Sequence, residues 1–280
     1  MKRIILTKTV DVIGPNLFGF ESIIRFVPLD EPGWFLIKRN KYGEIIQKIP
    51  INYKIASYKK GRIIIKYENI EIPTWEHIGV LKFLGIDCVG VELIKGCKWP
   101  PYLGGAGLYY KKISEPGNLK ITSEEIPIIV VKQDSSWMYS ADSDRAVSIS
   151  KGDSKRLVLD ISAQWKPLPR CVKRLIIDQD IMNYLLTKVF NAKPQGYPNY
   201  RFHLARIASI FGWPNLNYIS WVSDYPSEKL ASYQWWLHRA QDLLGDLSLA
   251  DHIALPIGYV YSFDGGHLAD LNCLKKSYNS

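Results

Sequence analysis

Five histidines occur in 280 residues, at His77, His203, His238, His252 and His267, and three of them stand near carboxylates at spacings a metal site can use. His238 and Asp242 are four apart in an expected helix. Both then project from one face and can hold one cation through an imidazole nitrogen and a carboxylate oxygen. The same spacing also makes an ordinary surface ion pair. Glu76 and His77 are adjacent at the opening of another expected helix, where neighbouring side chains diverge; one of them can bind a cation and the other can address a water on it. Taken singly, Glu76 would match the dipole of a helix start and His77 would be a satisfied interface histidine. Asp264-Gly265-Gly266-His267 sets two glycines before a helix start, which frees the backbone to aim His267 into a cleft. Asp246 lies four beyond Asp242, on nearly the same face, where it can accept a hydrogen bond from His267 or face solvent.

Alternating apolar runs with turn punctuation supply the elements for the first of these groups. Strands are expected over residues 4–12, 22–27, 34–38, 44–51 and 62–67, with a turn at 40–43. Thr74 is a plausible cap for a helix in which Ile78, Leu81 and Leu84 recur at threes until Gly85 stops it, and a strand follows over 89–94. Ser114-Glu115-Pro116-Gly117-Asn118 carries both helix breakers near mid-chain and divides the sequence into residues 1–115 and 116–280. The second half repeats the order of the first. A strand over 126–132 precedes a hairpin in which Val147 and Ile149 face Leu157, Leu159 and Ile161. Helices then span 178–190 and 227–249, and a strand over 257–263 leads to a last helix from His267. The expectation is an α+β fold of two similar domains, each a mostly antiparallel sheet with helices on one face, with the metal site between them.

Composition narrows the function classes. With 47% hydrophobic and 22% charged residues, 20 Gly and 16 Pro, the chain has a full core to bury, which excludes disordered, collagenous and low-complexity classes. No apolar run is long enough to span a bilayer, and the basic start meets Thr7 and Lys8 before a secretory core forms. A cytoplasmic location is expected. Four cysteines, at 88, 97, 171 and 273, form no CxxC pair, which fits a reducing compartment and argues against cysteine-bound zinc. The formal charge of +9 suits any anionic partner, yet no nucleic-acid recognition motif or clustered basic helix is present, so no nucleic-acid partner is expected.

The strings Thr74-Trp75-Glu76-His77, Leu84-Gly85-Ile86-Asp87, His238-Arg239-Ala240-Gln241-Asp242-Leu243-Leu244-Gly245-Asp246 and Gly266-His267-Leu268 occur in this order. With Lys8-Thr9-Val10 and Gly14-Pro15-Asn16-Leu17 near the start, they resemble the UDP-3-O-acyl-N-acetylglucosamine deacetylases of lipid A biosynthesis over nearly the whole chain. The resemblance implies a zinc-dependent amidohydrolase acting on an N-acetyl amino sugar or sugar nucleotide. It implies His77, His238 and Asp242 as metal ligands, with iron(II) suiting the same donors. It further implies Glu76 as general base and His267 as acid and oxyanion partner, oriented by Asp246. Arg239, in place of a family lysine, and Phe211 would contact the substrate. A monomer is expected, with no transmembrane segment and at most peripheral membrane contact.

The sequence departs from the family in four places. Ile210 stands where the family has a threonine before Phe-Gly, beside Ser209; Leu103-Gly104-Gly105-Ala106 replaces an Asp-Gly-Ser-Ala stretch; Phe18 replaces a histidine. Only 25 residues, Trp213 to Leu237, separate Gly212 from His238, where the family carries a longer insert that walls its acyl passage. That segment holds Trp213, Tyr218, Trp221, Tyr225, Tyr233, Trp235 and Trp236, as sugar-stacking walls or as core. A substrate without the long 3-O-acyl chain is therefore open, and so is a catalytically retired homologue that binds a carbohydrate or anion.

Overall fold

The computed structural model describes residues 1–16, 20–59, 61–95, 100–101, 105–134, 138–139, 145–152, 155–164, 168–188 and 226–278. Phe18, the 103–104 pair, Phe211 and residues 208–225, with most of the aromatic segment, lie outside the described residues.

In the first half, strands β1 (Lys2–Leu6), β2 (Val10–Pro15), β3 (Glu21–Pro28), β4 (Trp34–Arg39) and β5 (Ile45–Pro50) precede β6 (Ala56–Lys59), β7 (Arg62–Tyr67) and β8 (Ile70–Pro73). Helix α1 (Glu76–Gly79), β9 (Ile86–Asp87), β10 (Val89–Lys95) and α2 (Gly105–Ile113) follow. The second half contains β11 (Leu119–Glu125), β12 (Ile128–Val130), β13 (Met138–Tyr139), β14 (Ala146–Ser150), β15 (Leu157–Ala163), β16 (Cys171–Ile176), α3 (Gln179–Lys188), α4 (Glu228–Leu247), β17 (Leu255–Phe263) and α5 (His267–Tyr278). The fold is mixed α+β, with mostly antiparallel sheets. Among the described residues, no helix is long and apolar enough to cross a membrane.

The two larger sheets share one pairing pattern. The first runs β2-β3-β10-β4-β5, and β10 pairs antiparallel with β3 and parallel with β4. The second runs β13-β14-β17-β15-β16, and β17 pairs antiparallel with β14 and parallel with β15. In each, the strand latest in the chain takes the centre. This corrects the expected hairpin: β14 and β15 are not neighbours, because β17 lies between them and both ladders close on it. Apolar positions at Val147, Ile149, Leu157, Leu159 and Ile161 are buried as expected, but they report burial and not the partner.

Other boundaries shift for local reasons. The expected strand over 4–12 is two strands, interrupted where the Thr7 N–H bonds Asn118 O (2.9 Å) and its hydroxyl bonds Gly117 O (2.6 Å). Thr74 does not cap a helix. Its φ is +58° and its hydroxyl donates to Pro73 O, so it is the sharp corner between β8 and α1. Helix α1 has one α turn and continues as a 3-10 segment (Val80–Leu84), which Gly85 ends in the left-handed conformation (φ +94°). Helix α4 begins at Ser227, whose hydroxyl accepts the Leu230 N–H (3.3 Å). Its last three turns are buried on all sides, packing on α1, β15 and α5. Polar residues in those turns are therefore held by protein and not by water.

Candidate active site

Three helices bring Glu76, His238, Asp242, Asp246 and His267 to one place. Glu76 and His77 begin α1, His238 to Asp246 occupy the buried half of α4, and His267 begins α5. The α1–α4 crossing is unusually close, because a Cβ on Gly245 would overlap the Glu76 carbonyl and Cα. A Cβ on Gly79 would likewise collide with Ser248 Oγ and the Trp75 ring nitrogen. Trp75 Nε1 donates to Ser248 Oγ (3.0 Å), which in turn donates to Gly245 O (2.6 Å). Two small residues and this bonded pair fix the height of Glu76 above α4.

His267 is the hub. Its Nδ1 lies 2.7 Å from Asp246 Oδ2, while its Nε2 is 3.9 Å from both Glu76 Oε1 and Asp242 Oδ2. The expected Asp246–His267 hydrogen bond is present, and Asp246 is fully buried instead of lying on a solvated helix face. His238 Nε2 and Asp242 Oδ2 are 3.4 Å apart. That is long for a hydrogen bond, yet close to the edge of a tetrahedron of ligands placed about 2 Å from a zinc ion. His77 is buried on α1 beside Glu76. Among the described residues, Glu76, Asp246 and His267 have ligand atoms all within 4.8 Å of one another, the three to which the resemblance gives proton transfer and not ligation.

Electrostatics follow from burial. Glu76 is only 4% exposed, and desolvation raises its pKa to about 7, against the pull of His267 and with help from Asp246 and Asp242. Its Oε2 has no hydrogen-bond partner, and neither has Asp246 Oδ1. Burial, then the neighbouring Asp270 and Asp242 carboxylates, hold Asp246 well above the usual carboxylate range. Unpartnered buried carboxylate oxygens beside imidazoles suit a bound cation, since His267 and Arg239 offset their desolvation only in part.

A cavity of about 230 Å³ opens over this cluster. His238, Asp242 and His267 reach it, Trp235 and the exposed Arg145 line its wall, and Tyr58 comes from the first half of the chain. Trp235 stacks on the His238 ring (6.2 Å between centroids, 26° between planes), whereas Trp236 is core and donates from Nε1 to Ile161 O (2.9 Å). Of the described aromatics in that segment, Trp235 faces the cleft and Trp236 does not.

Arg239 has a different setting from the one expected. It is not a surface arginine: it is buried at the cavity lining, its two Nη atoms donate to the two carboxylate oxygens of Asp270 (2.8 and 2.6 Å), and its Nε has no protein partner. Burial works against its charge, and Asp270 with help from Asp246 and Asp242 outweighs that effect, so its pKa lies above the ordinary value. The turn before His267 also has another cause. Asp264, not a glycine, takes the positive φ (+46°), and it accepts from Gln164 N and Arg170 Nη2, both at 2.7 Å. Gly265 is required for close packing, because a Cβ there would lie 2.7 Å from Arg239 Nη2 and 2.6 Å from Ser262 Oγ.

Sequence reading missed Asp270 and Tyr109. Asp270 was detectable as the i+3 neighbour of His267 on one helix face. Tyr109 is fully buried, and burial followed by the Glu76 charge raises its pKa well above the ordinary value. No known protein family matches the chain, and no curated protein is found similar to it.

Proposed function

We propose that this protein is a metal-dependent amidohydrolase that deacetylates an N-acetylated amino sugar, as its resemblance to UDP-3-O-acyl-N-acetylglucosamine deacetylases implies. The observation that carries the reading is His267, tied by Asp246 on one nitrogen and facing Glu76 and the His238–Asp242 pair with the other. An acid, a base and a nitrogen–oxygen donor set within a few ångströms, beside a cleft that His238, Asp242 and His267 line, form the minimum constellation for hydrolysing an unactivated amide. The halves of the chain are then two similar domains with the site between them.

His77, His238 and Asp242 would hold the cation. His267 and Asp246 are engaged with each other, which makes them poorer ligands than a carboxylate and imidazole at 3.4 Å. Zinc is the expected ion, with iron(II) compatible with the same donors. When bound, a divalent cation polarises the amide carbonyl and acidifies the attacking water.

Glu76 takes the proton from that water. Its raised pKa suits a base working near neutrality, and a dication nearby favours its charged form. His267 Nε2 then donates to the oxyanion and passes a proton to the departing amine, while Asp246 holds the ring by Nδ1. Atoms balance: water and the acetamide give acetate and a free amine. Trp235 offers a flat apolar wall for a sugar ring. The Glu76 oxygen without a protein partner argues against a retired site, since a buried idle carboxylate only lowers stability. The test is acetate release from N-acetylated amino sugars by zinc-loaded protein, compared with chelated protein.

A further inference from the structure

Arg239, His267 and Asp270 form a second interhelical connection one turn behind the Asp246–His267 bond. His267 and Asp270 are i and i+3 on α5, and Arg239 and Asp246 are i and i+7 on α4, so each pair shares a helix face. The Arg239–Asp270 contact is bidentate, with the Asp270 side chain fully buried and that of Arg239 6% exposed. The guanidinium also donates to Ser262 Oγ (3.2 Å) at the end of β17 and presses against Gly265. It therefore touches all three pieces that bracket His267: the strand before it, the turn that presents it and the helix it begins.

We infer that Arg239 and Asp270 are a positioning pair that sets the Asp264–His267 turn, and through it the place of His267 against Asp246 and Glu76. Arg239 then acts through His267, although it also reaches the cavity lining. The consequence for mechanism rests on the acid role proposed for His267; the positional claim does not. The two Nη atoms of Arg239 hold one carboxylate in a fixed plane, and Nε is the guanidinium nitrogen left without a protein partner. A 1 Å displacement of an acid costs on the order of 10²-fold in rate, so a clamp at this turn is worth its buried charges.

Two variants test the inference. Asp270→Asn breaks the bidentate contact, and the double variant Arg239→Met/Asp270→Leu removes both charges at similar volume, so a folded protein is obtained even if the single variant is unstable. Ring signals of ¹⁵N-labelled histidines are followed by NMR, with His267 assigned through His267→Gln, alongside zinc content, kcat and KM. The expected result is a displaced or broadened His267 Nδ1 signal, with kcat lowered at least about tenfold and zinc content and KM nearly unchanged. An unmoved His267 signal in the folded variants overturns the inference. So does an intact kcat with KM raised about tenfold, which would make Arg239 a substrate contact. If the unmutated protein releases no acetate, the hydrolytic reading fails, and the ring signals still decide the positional claim.

Discussion

Gly245 and Glu76 are in backbone contact: the α4 glycine leaves no room for a Cβ against the Glu76 carbonyl. The glycine in the His-Arg-Ala-Gln-Asp-Leu-Leu-Gly-Asp string is thus a spacer that sets how far the base stands from the histidines on α4 and α5. Gly245→Ala must push α1 off α4. We expect a loss of about 1–3 kcal/mol in stability from overpacking, with a larger proportional loss of turnover than of fold. Denaturant unfolding and kcat measured on the same preparation check this.

Glu76→Gln keeps the shape and removes the base. Turnover should fall about 10²- to 10⁴-fold while zinc content stays near one equivalent. Metal analysis beside a rate assay separates this outcome from loss of the site, and turnover that survives the change sinks the assignment.

Lys82 provides a pH prediction away from the site. It is 1% exposed, donates to Asp251 O (2.5 Å), and burial lowers its pKa from 10.5 to about 8 despite the opposing charges of Asp251 and Asp87. Between pH 8 and 10.5 the unfolded chain holds a proton that the folded protein has released, so this residue's contribution to stability rises with pH across that window. Below pH 8 the cost of the buried charge is fully present, about 3 kcal/mol at most. Lys82→Met should be more stable than the parent at pH 7, less about 1 kcal/mol for the lost hydrogen bond. The advantage should fade towards pH 10.5. Urea melts at pH 7 and pH 10 compare the two proteins, and a constant difference contradicts the account.

Among the described residues of the cleft lining, Arg145 is an exposed cation, whereas Arg239 is buried against Asp270. For an anionic substrate such as a sugar nucleotide, Arg145→Ala should raise KM several-fold at low salt, less so at high salt, and leave kcat nearly unchanged. Equal KM values for parent and variant would indicate a neutral sugar as substrate.

Much of the framework was legible from pattern. Strand β7 and the start of α5 fall where alternation and the Gly-Gly-His turn put them, and Gly85 ends its helix as expected. His238 and Asp242 share one face of α4 because i,i+4 spacing is a local geometric fact. What was not legible depends on distant partners. Strand β17 separates β14 from β15, although it lies more than ninety residues further along the chain. Helix α2 was passed over despite Ala106, Tyr109 and Ile113 at helical spacing, because Gly105 and Gly107 weaken its propensity and packing overrides that. The setting of Arg239 was hidden because its partner, Asp270, belongs to another helix.

The most direct test incubates zinc-loaded protein with UDP-N-acetylglucosamine and its 3-O-acylated form, and follows acetate with and without a chelator. The account predicts acetate from at least one substrate, abolished by chelation and by Glu76→Gln and restored by added zinc for the parent only. Zinc-loaded protein that releases no acetate from either substrate, or turnover indifferent to the chelator, would contradict it.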